Sequence, residues 1–256
     1  MSHIFLVSTR PEVSGNPVGF RMAVPMFDEA ESQVIATTTG SGGEGKVLQK
    51  ERPVNSIEQL WEWRQTIADL YCNIRTSEDP AIAWQTWCDT RSQLFRGHPQ
   101  SPIEAQDRQG YQGPAMFPYD PSLRLTVRLE ETREERITVA TGADGELTMR
   151  AFARTGGLQD VLGGELTLYW IEGYGGGVFL PFTDATSGNE TYGGGRYLLD
   201  TIKGADLGTL RPDGSAILDF NFAYFPSCSY SSRYVCPLAP SGNRLRGAVR
   251  GGERWG

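Results

Sequence analysis

The stretch Leu123-Arg124-Leu125-Thr126-Val127-Arg128-Leu129-Glu130 decides the fold class. Leu123, Leu125, Val127 and Leu129 alternate with Arg124, Thr126, Arg128 and Glu130. Side chains on a strand alternate between faces, so this pattern buries one face and wets the other. The same reading extends downstream. Ile137 to Ala140 is a second strand, and Glu146 to Ala153 a third, with Leu147, Met149 and Ala151 inward. Ala143-Asp144-Gly145 between them is a hairpin signal. Leu166, Leu168 and Trp170 share one face of the next strand. Val178 to Phe182, Arg196 to Asp200 and Ala216 to Tyr224 complete the set, with Arg211-Pro212-Asp213-Gly214 as a turn before the last. Short strands, Gly-rich turns and no alternating helices predict an antiparallel β-barrel or sandwich.

Upstream, the period changes. Ile57, Leu60, Trp61, Ile67, Ala68, Tyr71 and Ile74 recur at helical spacing, with Ser56 and Gln59 as a capping box. A second helix opens at Asp79-Pro80 and ends near Gly97-His98-Pro99. Its apolar face holds Trp84, Trp87, Cys88, Arg91, Leu94 and Phe95, which reads as core packing. The expected organisation is mainly β (α+β): a two-helix segment followed by the β domain, together a single domain over 55–256. Residues 1–54 form an N-terminal extension containing the Gly-rich stretch 37–46, with Ile4 to Val7 and Gln33 to Thr38 as possible edge strands.

Composition narrows the function classes. The chain has 256 residues and a net charge of −7, without the basic stripe of a nucleic-acid binder. No apolar run is long enough for a membrane span, and the N-terminus does not read as a secretory signal. The expectation is a soluble cytoplasmic protein with no nucleic-acid or membrane partner. Two histidines exclude a three-His metal site and weaken any imidazole-based nucleophile. No metal site and no particular cofactor is read from the sequence.

The last predicted strand puts Asp219 and Asn221 on one face, opposite Leu218, Phe220, Phe222 and Tyr224. Arg196 is a candidate partner for Asp219, and Asp184 with Asp219 is the best carboxylate pair. The loop before Arg196 is dense in hydroxyls: Thr186, Ser187, Thr191 and Tyr192, then a run of three glycines. It reads either as a ligand cradle or as a turn system held by side-chain bonds. The ligand-binding candidates are therefore Asp184, Thr186, Ser187, Thr191, Tyr192, Arg196, Asp219 and Asn221. Cys228 and Cys236, with seven residues between them, are open to three readings: packed thiols, a disulfide or metal ligands.

Several segments carry a resemblance. They are Phe117-Pro118-Tyr119-Asp120-Pro121, the run from Phe182 to Leu198, and Leu218 to Tyr224 followed by Cys228, Cys236-Pro237-Leu238, Asn243-Arg244-Leu245 and Gly252-Glu253. With Ser101-Pro102-Ile103, they resemble the domain-of-unknown-function family 1684 over about residues 80–254. Phe225 and Ser241-Gly242 depart from its usual pattern. The resemblance marks where a site would lie and leaves its chemistry open. Three function classes follow: a small-molecule-binding β domain, an enzyme using Asp184 or Asp219 with Arg196 as an anion clamp, and a structural or partner-binding domain.

Overall fold

The computed structural model describes residues 55–142 and 145–256. The proposed N-terminal strands and the Gly-rich stretch therefore lie outside the described residues, as do Ala143 and Asp144 of the hairpin turn. Two helices, α1 (Ser56–Thr76) and α2 (Pro80–Gly97), precede a curled antiparallel sheet that forms a half-barrel. The strands are β1 (Ala115–Met116), β2 (Arg124–Glu130), β3 (Arg136–Ala140), β4 (Glu146–Gly156), β5 (Thr167–Ile171), β6 (Gly177–Phe182), β7 (Arg196–Asp200), β8 (Ser215–Asp219) and β9 (Glu253–Arg254). A single turn, α3 (Gln159–Leu162), follows β4.

The main sheet runs β7-β6-β5-β4-β2-β8, all antiparallel. β4 spans 11 residues. Its first half pairs with β3, and its end pairs with β2 on the same edge. The curl then brings the chain beyond β8 back to β7, where Tyr197 and Tyr224 exchange backbone hydrogen bonds of 2.8 and 3.0 Å. That bridge joins the two ends of the sheet. β1 and β9 form a separate two-stranded ribbon.

The opening alternation holds: Leu123 and Val127 are buried while Arg124, Thr126, Arg128 and Glu130 are exposed. A bulge between Ala151 and Ala153 shifts the pairing with β5. Trp170 shares the face of buried Leu168 but is 38 % exposed, while Tyr169 and Ile171 on the other face are buried. These neighbours serve two cores. Leu168, Leu180, Phe182, Leu198, Leu218 and Phe220 pack inside the half-barrel. Met149, Tyr169, Ile171, Phe179 and Tyr197 form a second cluster on the opposite side of the sheet. Phe182 meets Phe220 edge-to-face at 5.3 Å, an arrangement favoured by the ring quadrupoles.

The helices pack through a third cluster, in which Ile67, Leu70, Tyr71 and Trp87 meet Ala205 and Phe222. Trp87 is fully buried and donates its indole N–H to the Tyr71 hydroxyl at 3.3 Å, so the Trp stripe is core. Ile57, Trp61 and Ala68 of the expected α1 face are exceptions and are exposed. The capping box also lies one residue earlier than expected. Asn55 accepts from the Glu58 N–H at 2.9 Å, and Glu58 accepts from the Asn55 N–H at 3.0 Å. Asn55→Ala should therefore cost about 1 kcal/mol, measured by urea unfolding, with Ser56→Ala near neutral. Equal losses from both would refute this assignment. The Asp79 cap and Pro80 start of α2 stand as read, with Asp79 accepting from Ala81 at 2.8 Å.

Candidate functional site

The strand expected to run to Tyr224 ends at Asp219. Asp219 Oδ1 accepts from the Asn221 backbone N–H at 3.1 Å and from Asn221 Nδ2 at 2.9 Å, turning Phe220–Phe222 into a 3-10 helix. The two aromatic residues expected on one face therefore separate. Phe220 enters the half-barrel and Phe222 enters the helix interface. Asn221 is fully buried and makes a two-way link with the Asp120 backbone, accepting at 2.9 Å and donating at 2.8 Å. An amide side chain here substitutes for a missing strand neighbour.

Asp184 and Arg196 meet, but Asp219 is not their partner. Arg196 pairs with Asp184, and both are buried. The guanidinium also donates to the carbonyls of Gly251 at 2.5 Å, Val249 at 2.7 Å and Glu253 at 3.3 Å. Burial lowers the Arg196 pKa, and Asp184 opposes that shift. The other Asp184 oxygen accepts from the Thr186 backbone at 2.6 Å and from its hydroxyl, which in turn meets Thr191 Oγ1 at 2.9 Å. Ser187 Oγ accepts from the Asp184 N–H at 3.1 Å. The hydroxyl-rich loop is thus closed on itself, as in the turn-system reading. Tyr192 lies outside this closure, with its hydroxyl 3.9 Å from Cys228 Sγ.

Two residues outside the candidate list complete the arrangement. Arg91 and Glu253 form a buried pair, with Arg91 Nε 2.8 Å from Glu253 Oε1. Glu253 Oε2 accepts from the Phe225 N–H at 2.5 Å and from the Tyr230 hydroxyl at 3.0 Å. Arg91 also lies over the rings of Trp87, Phe95 and Tyr224 at 4.9–5.1 Å. Burial opposes its charge, but Glu253 and Tyr230 outweigh that and hold it firmly protonated. Arg91 sits on the apolar face of α2, and an arginine at such a position needs a buried partner. That signal was present in the sequence, but nothing nearby pointed to Glu253, 162 residues away. Together Arg91, Asp184, Arg196 and Glu253 clasp the C-terminal segment against the half-barrel.

Asp219 belongs to a different place. It is 5 % exposed, and burial raises its carboxyl pKa against the opposing bonds from Asn221 and the charge of Arg124. Its Oδ2 has no hydrogen bond among the described residues, only Arg124 Nε at 3.6 Å. It lines a cleft of about 220 Å³ with Arg124, Ile74, Leu207 and Phe222. A shallower cleft of about 490 Å³ lies beside Arg128, Glu130, Arg211 and Asp213. His98 Nδ1 accepts from the Gln100 N–H at 3.0 Å, its Nε2 is buried without a hydrogen-bond partner among the described residues, and burial lowers its pKa. Among the described residues no group of three His, Cys, Asp or Glu side chains is placed to hold a metal ion. No described helix is long and apolar enough to cross a membrane.

No curated protein matches the chain. A solution NMR structure of an uncharacterized protein from Haloarcula marismortui is 31 % identical, with a TM-score of 0.47 over 67 % of this chain and 91 % of that one. A family model described as a protein of unknown function matches residues 109–254, from just before β1 through β9, and leaves both helices outside. That match takes in the clasp loop, the Asp219 turn, both late cysteines and Glu253; the chain belongs to the DUF1684 family.

Proposed function

We propose that this protein binds a small polar molecule in the cleft at Asp219. The carrying observation is the Asp219 carboxylate itself, almost fully buried with one oxygen short of a hydrogen bond among the described residues. That oxygen is free to accept from a ligand donor in the cleft, and Arg124 beside it would take a ligand acceptor. Apolar walls from Ile74, Leu207 and Phe222 complete the combination of shape and a few polar groups typical of ligand pockets. The volume, about 220 Å³, limits the occupant to something smaller than a drug-sized molecule, whose pockets start at roughly 300 Å³. The matching chemistry pairs a donor with an acceptor, as in amino acids and hydroxy acids.

The test is thermal shift with a panel of amino acids, hydroxy acids and polyols. A ligand at 100 times its Kd adds about 2.7 kcal/mol, several degrees in Tm for a domain of this size. Asp219→Asn keeps the Oδ1 acceptor for Asn221 but removes the charge. It should weaken the active compound about tenfold or more. Without ligand, the variant should be as stable as the wild type at pH 7, or more so. The raised carboxyl means that the folded state holds this proton more tightly than the unfolded state. The wild type therefore gains on the variant as pH falls through the folded pKa, and that gain is lost at neutral pH. A panel with no shift, or a shift unchanged in Asp219→Asn, rejects the reading.

A further inference from the structure

We propose that the Asp219 cleft takes a short hydroxycarboxylate, held at its carboxylate by Arg75 and Arg124 and at its hydroxyl by Asp219. This ligand class rests on the cleft being a binding site, as proposed above. Arg75 lies in the last turn of α1 and lines the cleft together with Arg124 and Asp219. Its stem crosses Gly208, where an added Cβ would sit 2.5 Å from Arg75 Cδ, so a side chain at 208 would displace it. Arg75 Nη1 donates to the Asp206 carbonyl at 2.7 Å, which ties the end of α1 to the turn before Gly208. Its Nε and Nη2 have no acceptor among the described residues, and Arg124 has only the 3.6 Å approach to Asp219. The cleft therefore presents two guanidiniums with donors to spare and one carboxylate oxygen, Asp219 Oδ2, with room to accept.

The charges select the class. Arg124 offsets the Asp219 carboxylate, and Arg75 leaves one positive charge over. Two more carboxylates lie on turns that border the cleft. Asp79 accepts from the Ala81 and Ile82 N–H groups, and Asp206 from the Gly208 N–H at 2.9 Å. Neither lines the cleft, and both are open to solvent, which screens them. The C-terminal end of α1 and the N-terminal end of α2 both meet the cleft, at Arg75 and Pro80, so their opposed end charges offset. A ligand with one negative charge balances what remains, and a zwitterionic amino acid does not. An ammonium also brings three donors to a carboxylate whose Oδ1 already accepts twice from Asn221. A hydroxyl brings one donor, which matches Oδ2. The apolar walls of Ile74, Leu207 and Phe222 favour a carbon skeleton over an inorganic oxyanion.

The experiment uses the full chain and compounds of one skeleton: α-hydroxyisovalerate, valine, isovalerate and α-hydroxyisovaleramide, with inorganic phosphate as a further probe. Affinities are read by isothermal titration calorimetry. The hydroxy acid should bind about tenfold or more tighter than each of the others, because each of them loses a hydrogen bond to a charged group or the balancing charge. Arg75→Gln keeps a stem over Gly208. It should weaken the hydroxy acid about tenfold or more and leave the melting temperature of the unliganded protein close to wild type. Valine, the amide or phosphate binding as tightly as the hydroxy acid overturns the ligand class and leaves the cleft as a binding site. Undiminished binding to Arg75→Gln overturns the class in the same way, because Arg75 supplies its balancing charge. If none of these compounds binds but another raises the melting temperature through Asp219, the class is wrong and the cleft reading stands. If no compound does so, both fall.

Discussion

Arg196→Met is expected to destabilise the folded protein by about 3–5 kcal/mol, the usual cost of breaking a buried pair by removing one partner. Three losses combine. Asp184 is left as a buried carboxylate without its counter-charge. The carbonyls of Val249, Gly251 and Glu253 lose a donor, and the C-terminal segment they belong to loses its hold on β7. Met fills part of the volume, so a cavity is not the main term. A domain is typically stable by only 5–15 kcal/mol, so this one change removes a large fraction. Urea denaturation gives the number. Adding Asp184→Asn to the variant should restore part of the loss, because the stranded charge goes while the Thr186 contacts keep an acceptor. That recovery separates the electrostatic part from the lost carbonyl bonds. A loss below 1 kcal/mol in Arg196→Met would mean that the clasp is not a structural element.

This expectation also shows what could and could not be read from the residues. The β class was legible because the alternation at Leu123 to Glu130 persists through β2, with Arg124, Thr126, Arg128 and Glu130 exposed and the residues between them buried or partly buried. The cap of α2 was legible because Asp79 and Pro80 act locally. The path beyond Asp219 was not. A period-two pattern over Ile217 to Tyr224 continues through a 3-10 turn that Asp219 itself induces by capturing the Asn221 N–H. Alternation describes a strand only while backbone partners exist, and here the partner is a side chain. The candidate site was likewise half legible. Asp184 and Arg196 do meet, yet Arg196 binds the chain beyond Val249 instead of Asp219. Long-range partners such as Arg91 with Glu253 leave only an asymmetric trace: a charge at an apolar position, without its address.

Gly252→Ala should be among the most damaging single substitutions, and Gly214→Ala is its matched control. Both glycines are left-handed, at φ +75° and +77°. An L side chain in that region costs roughly 1–2 kcal/mol at either position. They differ in what a methyl group would meet. At Gly214 nothing lies within 4 Å, so the conformational cost stands alone. At Gly252 the new Cβ would sit 2.1 Å from the Ala223 carbonyl oxygen, backbone that cannot swing aside. Relieving that overlap means moving β9 off Ala223, which breaks the 2.8 Å bond from the Glu253 N–H. It also displaces the 2.9 Å bond from the Phe117 N–H to the Gly252 carbonyl. Glu253 would then be drawn from Arg91, uncovering a buried ion pair at the centre of the clasp. Overpacking adds about 1–3 kcal/mol to the conformational term, so Gly252→Ala should cost about 1–3 kcal/mol more than Gly214→Ala in urea unfolding. Equal costs would show that backbone conformation alone, and not the close approach of the C-terminal segment to Ala223, requires glycine at position 252.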